Sequence, residues 1–456
     1  MVEPFDEMAW WFRYSQLHKS LSLIKPRLIE GGGGMGGILY LPIEIKSREL
    51  DGKLLLAYYA LSEGYQVIIG EHSKVQEASG IYPRGIFLGK GYARGFRKKV
   101  LTQADQRGHY VVELDEEGLI FPDENIYLRS RMHQDLLPQL DHVYCWGDSQ
   151  KRVIEKAYPQ FKSNCTVTGN PRFDLLSPKY RVVYQEKGEE LKNKYGPYIL
   201  INTRFTLYNT ISGKKGGHLS PQEEYIKKLY GHFISMIKQL SKNHPALAFI
   251  VRPHPAERME SYQKDLLGLE NVQVIRSGYV LHWLLGASAL IHNGCTTGIE
   301  GYLLDQMVIS YMPVQSPTYD VPLTQDVSES VTSLKELQIL ISQNESSWIK
   351  GKRIRREKKK SALLSDFYGP EKRNEFAYKI ILGHLDSVSL SSENKRPSKH
   401  YRFKRDTRKK IKQMFPSLIS QEIADFFKGI DHIEQQNLTD HVKITPLADR
   451  LFHLKN

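Results

Sequence analysis

The stretch Ile291-His292-Asn293-Gly294-Cys295-Thr296-Thr297-Gly298-Ile299-Glu300-Gly301 decides how this chain is read. An apolar run, Ala289 to Ile291, ends in small and polar residues, after which Ile299, Leu303 and Leu304 recur at helical spacing. The order is therefore strand, turn, helix. The predicted helix opens at Thr296 and Thr297. Unpaired backbone N–H groups and the positive end of the helix dipole gather at such a point, so two hydroxyls there make a receptor for a phosphate. Glu300, one turn further in, is placed to accept hydrogen bonds from ribose hydroxyls. Taken alone, Thr296 as an ordinary N-cap explains the same pattern.

Working outward, the neighbouring text repeats the alternation. Strands are expected at Tyr198–Asn202, Ala248–Arg252, Val272–Ile275, Ala289–Ile291 and Val308–Tyr311, with long helical patterns such as Gln222–Leu240 between them. An earlier set pairs strands Ile38–Ile45, Gln66–Ile69, Gly85–Leu88, His109–Leu114, His142–Trp146 and Cys165–Thr168 with helices over Arg48–Ser62, Ala93–Gln106, Arg129–Leu137 and Ser149–Ala157. Strands that alternate with helices form parallel sheets covered on both faces. The prediction is two doubly wound α/β domains in tandem, joined at the turn-rich Gly169-Asn170-Pro171-Arg172-Phe173-Asp174. Residues 1–36 read as an appendage with a glycine hinge, 37–180 and 181–385 as the two domains, and 386–456 as a basic linker and helical tail. Within that tail a helix is expected around Gln421–Phe427.

Composition sets the class. The chain has 456 residues, with 40% hydrophobic and 25% charged, ordinary proportions for a globular protein of more than one domain. Its three cysteines, Cys145, Cys165 and Cys295, are too dispersed for a disulfide framework or a zinc site, which fits a reducing cytoplasm. The start Met1-Val2-Glu3-Pro4-Phe5-Asp6-Glu7 is acidic where a signal peptide would be basic, and no apolar run is long enough to span a bilayer. The net charge of +13 is uneven. Lys350–Lys360 carries +7 and Lys395–Lys412 carries +9, leaving the remainder slightly negative.

Open α/β sheets bind ligands beyond the carboxyl ends of their strands. Three loops there carry reactive residues. Asp115-Glu116-Glu117-Gly118 brings carboxylates together, so repulsion is expected to raise one pKa and suit it to act as a base; a solvated acidic turn explains the same residues. In Arg252-Pro253-His254-Pro255 the prolines fix the histidine at the sheet's edge, and Arg with His suits a phosphate. The third loop is the opening stretch. Arg204 follows another strand of the same domain, where a surface salt bridge is the plainer reading.

These motifs, in this order, resemble bacterial sialyltransferases and Kdo transferases of the GT-B architecture. More closely, Pro42-Ile43-Glu44, Thr168-Gly169-Asn170-Pro171-Arg172-Phe173-Asp174, Arg252-Pro253-His254-Pro255 and His292 to Glu300 resemble the surface carbohydrate biosynthesis family over roughly residues 37–385. The resemblance implies a GT-B-like fold with a central cleft and an inverting, metal-independent glycosyltransferase of capsule or lipopolysaccharide synthesis. The donor would be a CMP-activated acidic sugar such as Kdo, serving as a substrate with no cofactor, and the acceptor a saccharide or lipid-linked saccharide. Glu116 maps to the base and His254 to the residue meeting the donor phosphate. Arg204, Arg252, Asn293, Gly294, Thr296, Thr297, Gly298 and Glu300 fall on the donor side; Glu44 and Glu117 fall on the acceptor side or serve as a second acid. A CDP-glycerol-type polyol-phosphate transferase, a UDP-sugar epimerase and a non-catalytic scaffold share parts of the pattern. The basic blocks suit the anionic inner face of the cytoplasmic membrane, and no nucleic-acid module accompanies them. On this assignment Glu116→Gln would abolish transfer and spare donor binding, while His254→Ala would weaken both.

Overall fold

The computed structural model describes residues 37–91, 94–121, 123–210, 218–352, 354, 361–370, 374–388, 401–404 and 409–456. The expected appendage, the linker Ser391–Asn394 and most of both basic blocks lie outside these residues. From Gly36 onward the chain forms one compact unit.

That unit contains two sheets. The first has the order β13-β14-β2-β1-β3-β4-β5-β6. Its strands are β1 (Ile38–Ile43), β2 (Gln66–Glu71), β3 (Gly85–Gly89), β4 (Tyr110–Leu114), β5 (His142–Cys145) and β6 (Cys165–Val167), all parallel, with β13 (Lys443–Ala448) and β14 (Leu451–Lys455) at one edge. The second has the order β12-β11-β10-β7-β8-β9. It is built from β7 (Tyr198–Asn202), β8 (Ala248–Arg252), β9 (Val272–Val274), β10 (Ala289–His292), β11 (Val308–Tyr311) and β12 (Glu329–Val331), and is wholly parallel. Every residue of β1, β7, β10 and β11 is buried, as expected of strands covered on both faces. The second sheet has the dinucleotide-fold strand order and the parallel part of the first follows the flavodoxin-like one; each reverses direction at a switch point. The architecture is GT-B-like: two Rossmann-like sheets on either side of a cleft.

Local chemistry sets the element ends. The 23-residue helix Pro221–Asn243 starts with a Ser220/Glu223 capping box and a proline in its first turn, satisfying N–H groups that have no partner inside the helix. The predicted helix Arg129–Leu137 is instead two pieces, Glu124–Ser130 and a 3-10 turn Gln134–Gln139. Asp123 caps the first, and the His133 ring accepts from Asp135 N to start the second, which contains Pro138. The three-residue β12 was missed because it is too short to show alternation.

The carboxyl-terminal region differs most from expectation. It is an integral part of the first domain. Strand β14 pairs antiparallel with β2, and β13 pairs with β14, so the chain's end extends the first sheet. Gly70 of β2 makes this approach feasible: with φ +155, an added Cβ would stand 2.1 Å from the Arg450 carbonyl oxygen. The helix Ser420–Glu434 lies on the helix Lys46–Ser62, where the buried Tyr58 hydroxyl donates to Asp431 at 2.6 Å and the Tyr58 and Phe427 rings meet edge to face. Among the described residues no helix is long and apolar enough to cross a membrane. Leu454 is fully buried, so Leu454→Ala should cost about 2–5 kcal/mol of unfolding free energy in a urea titration. An unchanged midpoint would mean that the region is the separate tail the sequence suggested.

Candidate active site

The cleft opens at the switch point of the second sheet, between the loops that follow β7 and β10. Two side chains fix the β10 loop. His292 is fully buried; its Nδ1 accepts the Gly294 N–H at 3.0 Å and its Nε2 meets Ser328 Oγ at 2.9 Å. Gly294 has φ +79, and a Cβ on Gly298 would stand 2.5 Å from the His292 ring. These two glycines therefore shape the turn. Asn293 Oδ1 accepts the Arg204 N–H at 2.9 Å and its Nδ2 donates to the Arg204 carbonyl at 3.3 Å, tying the β7 loop to the β10 loop. Glu257 anchors the β7 loop from below by accepting from Thr203 Oγ1 and, at 2.8 Å, from Phe205 N.

A cavity of about 650 Å³ lies against these loops, within the range of small-molecule sites. It brings together Arg252, His254, Thr296, Thr297 and Glu300 from the second domain with Arg48, Asp51 and Arg172 from the first. Its charged lining is Lys46, Arg48, Arg172, Arg252 and Arg276 against Asp51, Glu300 and Glu422, an excess of positive charge.

Each site residue has a definite state. Thr296 stands at the N-cap of the helix Thr297–Leu303, as expected, but it has helical backbone angles and its side chain makes no capping bond. Thr297 Oγ1 is shut off from bulk solvent and has no hydrogen-bond partner. Glu300 is buried; its Oε1 accepts from Arg172 Nη1 at 2.9 Å and its Oε2 has no partner. Burial raises the Glu300 pKa, opposed by Arg172 and Arg48. Burial, followed by the positive charge of Arg48, brings His254 down to about 4, so its ring is neutral near pH 7. Its Nδ1 accepts from Ala256 N at 3.2 Å, which leaves the proton on Nε2. His254 is thus a hydrogen-bond donor for an oxygen in the cavity.

Two donor-side residues hold loops instead. Arg252 donates to the carbonyls of Ser277 at 2.6 Å and Gly278 at 2.9 Å and lies over the Trp283 ring. Asn293 is committed to Arg204, and Arg204 itself is outside the cavity lining.

The acidic loop departs furthest from expectation, because every member has a cation. Arg131 meets Asp115 with both Nε and Nη2, and with Arg97 it outweighs the effect of burial and brings Asp115 down to about 2. Glu116 is 3% exposed, with Lys53 Nζ at 2.9 Å and Asn170 Nδ2 donating at 3.1 Å. Burial works against its charge, but Lys53, Arg172 and Arg48 hold it below the ordinary carboxylate range. Neither Asp115 nor Glu116 therefore has the raised pKa expected from repulsion. Glu116, Glu117 and Glu44 line a second cavity of about 430 Å³ beside the first.

Sequence reasoning missed Asp51. It lines the main cavity, accepts from the Tyr184 hydroxyl at 2.9 Å, and burial pushes it up to about 6. It follows no strand end, so the search along strand ends passed over it. Arg172 was read only as part of a turn. Gln413, Met414 and Glu422, from the supposed tail, also line the cavity. Among the described residues no group of three or more His, Cys, Asp or Glu could hold a metal ion.

No family model matches the sequence, and no curated protein sequence matches it. Solved structures show a similar chain course. The UDP-GlcNAc 2-epimerase from Neisseria meningitidis, solved bound to UDP-GlcNAc, is 13% identical, with 78% of this chain and 100% of that one covered and a TM-score of 0.48. A putative UDP-N-acetylglucosamine 2-epimerase from Listeria monocytogenes is 13% identical, with coverages of 78% and 96% and a TM-score of 0.49. HepE from Anabaena, in complex with UDP and glucose, is 13% identical, with coverages of 77% and 99% and a TM-score of 0.42. These values describe backbone course alone.

Replacing Glu116 leaves Lys53, also 3% exposed, as a buried cation without its carboxylate. Glu116→Gln should therefore lower unfolding free energy by roughly 3–5 kcal/mol in denaturant titration. A variant of unchanged stability would return Glu116 to the role of a free base.

Proposed function

We propose that the cleft holds a nucleotide-activated sugar and that the protein is an inverting glycosyltransferase of surface polysaccharide synthesis, with a CMP-activated acidic sugar such as Kdo as donor. One observation carries the reading. Thr297 Oγ1 and Glu300 Oε2 are buried polar atoms without partners at the wall of a cavity with a positive lining. Leaving such atoms unpaired costs about 1–3 kcal/mol each, a cost removed when a hydroxyl donates to Glu300 and a phosphate oxygen accepts from Thr297.

In this reading Glu300 binds the ribose while Thr297 and the His254 Nε2–H bind the donor phosphate. The acceptor hydroxyl attacks the anomeric carbon opposite the leaving group. A new C–O bond forms, the bond from the anomeric carbon to the phosphate oxygen breaks, and the nucleotide departs with the electron pair. The hydroxyl proton passes to a carboxylate. We assign that role to Asp51 over Glu116, because Asp51 stands in the cavity with a pKa of about 6, whereas Glu116 is neutralised by Lys53. His254 and Thr297 stabilise the charge that develops on the phosphate. The basic blocks Lys350–Lys360 and Lys395–Lys412 would hold the enzyme at an anionic membrane face near a lipid-linked acceptor.

A second reading also has an observation in its favour. Asp51 lines the cavity in which the donor is proposed to sit, where acid–base chemistry on the donor sugar would take place, as in an epimerase of UDP-sugars. Product analysis separates the two. Release of CMP from CMP-Kdo that depends on a saccharide acceptor supports transfer; an epimer formed from UDP-GlcNAc without acceptor supports the second reading; turnover of CDP-glycerol alone sinks both.

Nucleotide binding is expected to raise Tm by mass action, with CMP the strongest among CMP, CDP and UDP, and Thr297→Ala should remove the shift. Asp51→Asn should abolish turnover while keeping the shift. Because the base must be ionised, the wild-type rate should fall as pH drops through about 6, and a rate flat from pH 5 to 8 would exclude Asp51.

A further inference from the structure

The second sheet carries a polar row across its carboxyl edge. Asn202 of β7 pairs with Arg252 of β8 on one side and with His292 of β10 on the other. His292 pairs in turn with Ser310 of β11, and Ser310 with Ser330 of β12. Residues in register on neighbouring strands point to the same face, so these side chains lie side by side. Behind them on that face stand Leu200, Ile250, Leu290 and Val308, all buried and apolar. The row therefore marks where the core ends and the ligand-facing edge of the sheet begins.

Most of the row has protein partners. Arg252 donates to the carbonyls of Ser277 and Gly278, and both ring nitrogens of His292 are engaged. The Ser330 hydroxyl donates to the Gln325 carbonyl at 3.4 Å. Asn202 Oδ1 and Ser310 Oγ are buried without a partner. Of these two only Asn202, which is 5% exposed, lines the main cavity; Ser310 is fully buried and lines neither of the two cavities. The Asn202 backbone is held in place, because the next residue, Thr203, accepts from the Tyr262 hydroxyl at 2.9 Å and donates to Glu257. The terminal torsion of an asparagine is broad, which lets Oδ1 turn into the cavity when a donor group arrives.

We infer that Asn202 binds a hydroxyl of the sugar carried by the nucleotide, so that the protein holds the loaded donor more tightly than the spent nucleotide. The inference rests on the donor reading of the main cavity and adds the group that grips the sugar. An amide oxygen needs a hydrogen-bond donor, and neither an ionised phosphate nor a carboxylate has a proton to give. In the donor reading the ribose meets Glu300 and the phosphate meets Thr297 and His254. Asn202 neighbours His292, on whose ring Gly298, the residue after Thr297, packs. It therefore stands beside the phosphate position. The carried sugar is bonded to that phosphate, whereas the base lies beyond the ribose. A sugar hydroxyl is thus the donor within reach, and a site built to pair with a hydroxyl discriminates strongly against a ligand that lacks it.

Calorimetric titration of the full chain with CMP and with CMP-Kdo tests this. The wild type should bind CMP-Kdo more tightly than CMP. Asn202→Leu, which keeps the bulk of the side chain, should weaken CMP-Kdo about five- to tenfold, the loss of one hydrogen bond, and leave CMP unchanged. Asn202→Ala, which brings no steric conflict, should show the same selective loss. Ser310→Ala removes the other unpaired group of the row and should leave both affinities as they are. Equal weakening of CMP and CMP-Kdo by both Asn202 variants, an unchanged preference for CMP-Kdo in them, or the same loss in Ser310→Ala would overturn the inference. A wild type that binds CMP but shows no preference for CMP-Kdo would also overturn it. Failure of the wild type to bind CMP at all is a separate result, which would overturn the donor reading and the sugar assignment with it.

Discussion

The buried ion pair between Arg172 and Glu300 joins the two halves of the molecule at the cleft. Both partners are under 10% exposed and their atoms stand 2.9 Å apart. Arg172 belongs to the short helix Pro171–Asp174, whose backbone lies so close to the helix Lys46–Ser62 that a Cβ on Gly52 would stand 2.8 Å from it. Its guanidinium centre lies 5.6 Å from the Trp146 ring centroid and 5.1 Å from that of Phe173. The arginine is thus positioned before it meets the glutamate. Two charges taken from water are tolerated only with good geometry and further satisfied groups, and here one glutamate oxygen is satisfied by the first domain while the other is left facing the cavity.

The same constraint explains the arrangement of charge around the cleft. Arg172 holds Glu300 and also contributes, with Lys53 and Arg48, to keeping Glu116 ionised. Arg48 reaches further, lining both cavities and helping to keep His254 neutral. Basic groups from the first domain therefore tune acids and a histidine on both sides of the seam. The outcome is a cavity with a positive lining beside one whose carboxylates are held by cations.

The carboxyl-terminal region completes the design. Its two strands extend the first sheet, its helix Ser420–Glu434 covers the helix Lys46–Ser62, and Met414 stands in the partition between the cavities. The Lys46–Glu422 ion pair ties the start of one helix to the start of the other beside the main cavity. Gln413, Met414, Pro416 and Glu422 of this region thus help to form the site.

Most of the fold was legible in the sequence because it depends on local pattern. Buried parallel strands are continuous apolar runs, helices between them carry a 3.6-residue period, and eleven of the twelve parallel strands follow from that alternation. The turn at Gly294 and Gly298 and the position of His254 just beyond β8 were also accessible, since backbone freedom and proline restriction are local properties. The ionisation of the acids was not. Asp115, Glu116 and Glu117 are adjacent in sequence, but their cations come from residues 48, 53, 97 and 131. Asp51 owes its raised pKa to burial against residues far along the chain. The sequence by itself determined the elements and the loops that carry the chemistry; only the tertiary structure decided which acid is neutralised, which is desolvated and where the chain's end returns, because charge and solvation depend on neighbours in space.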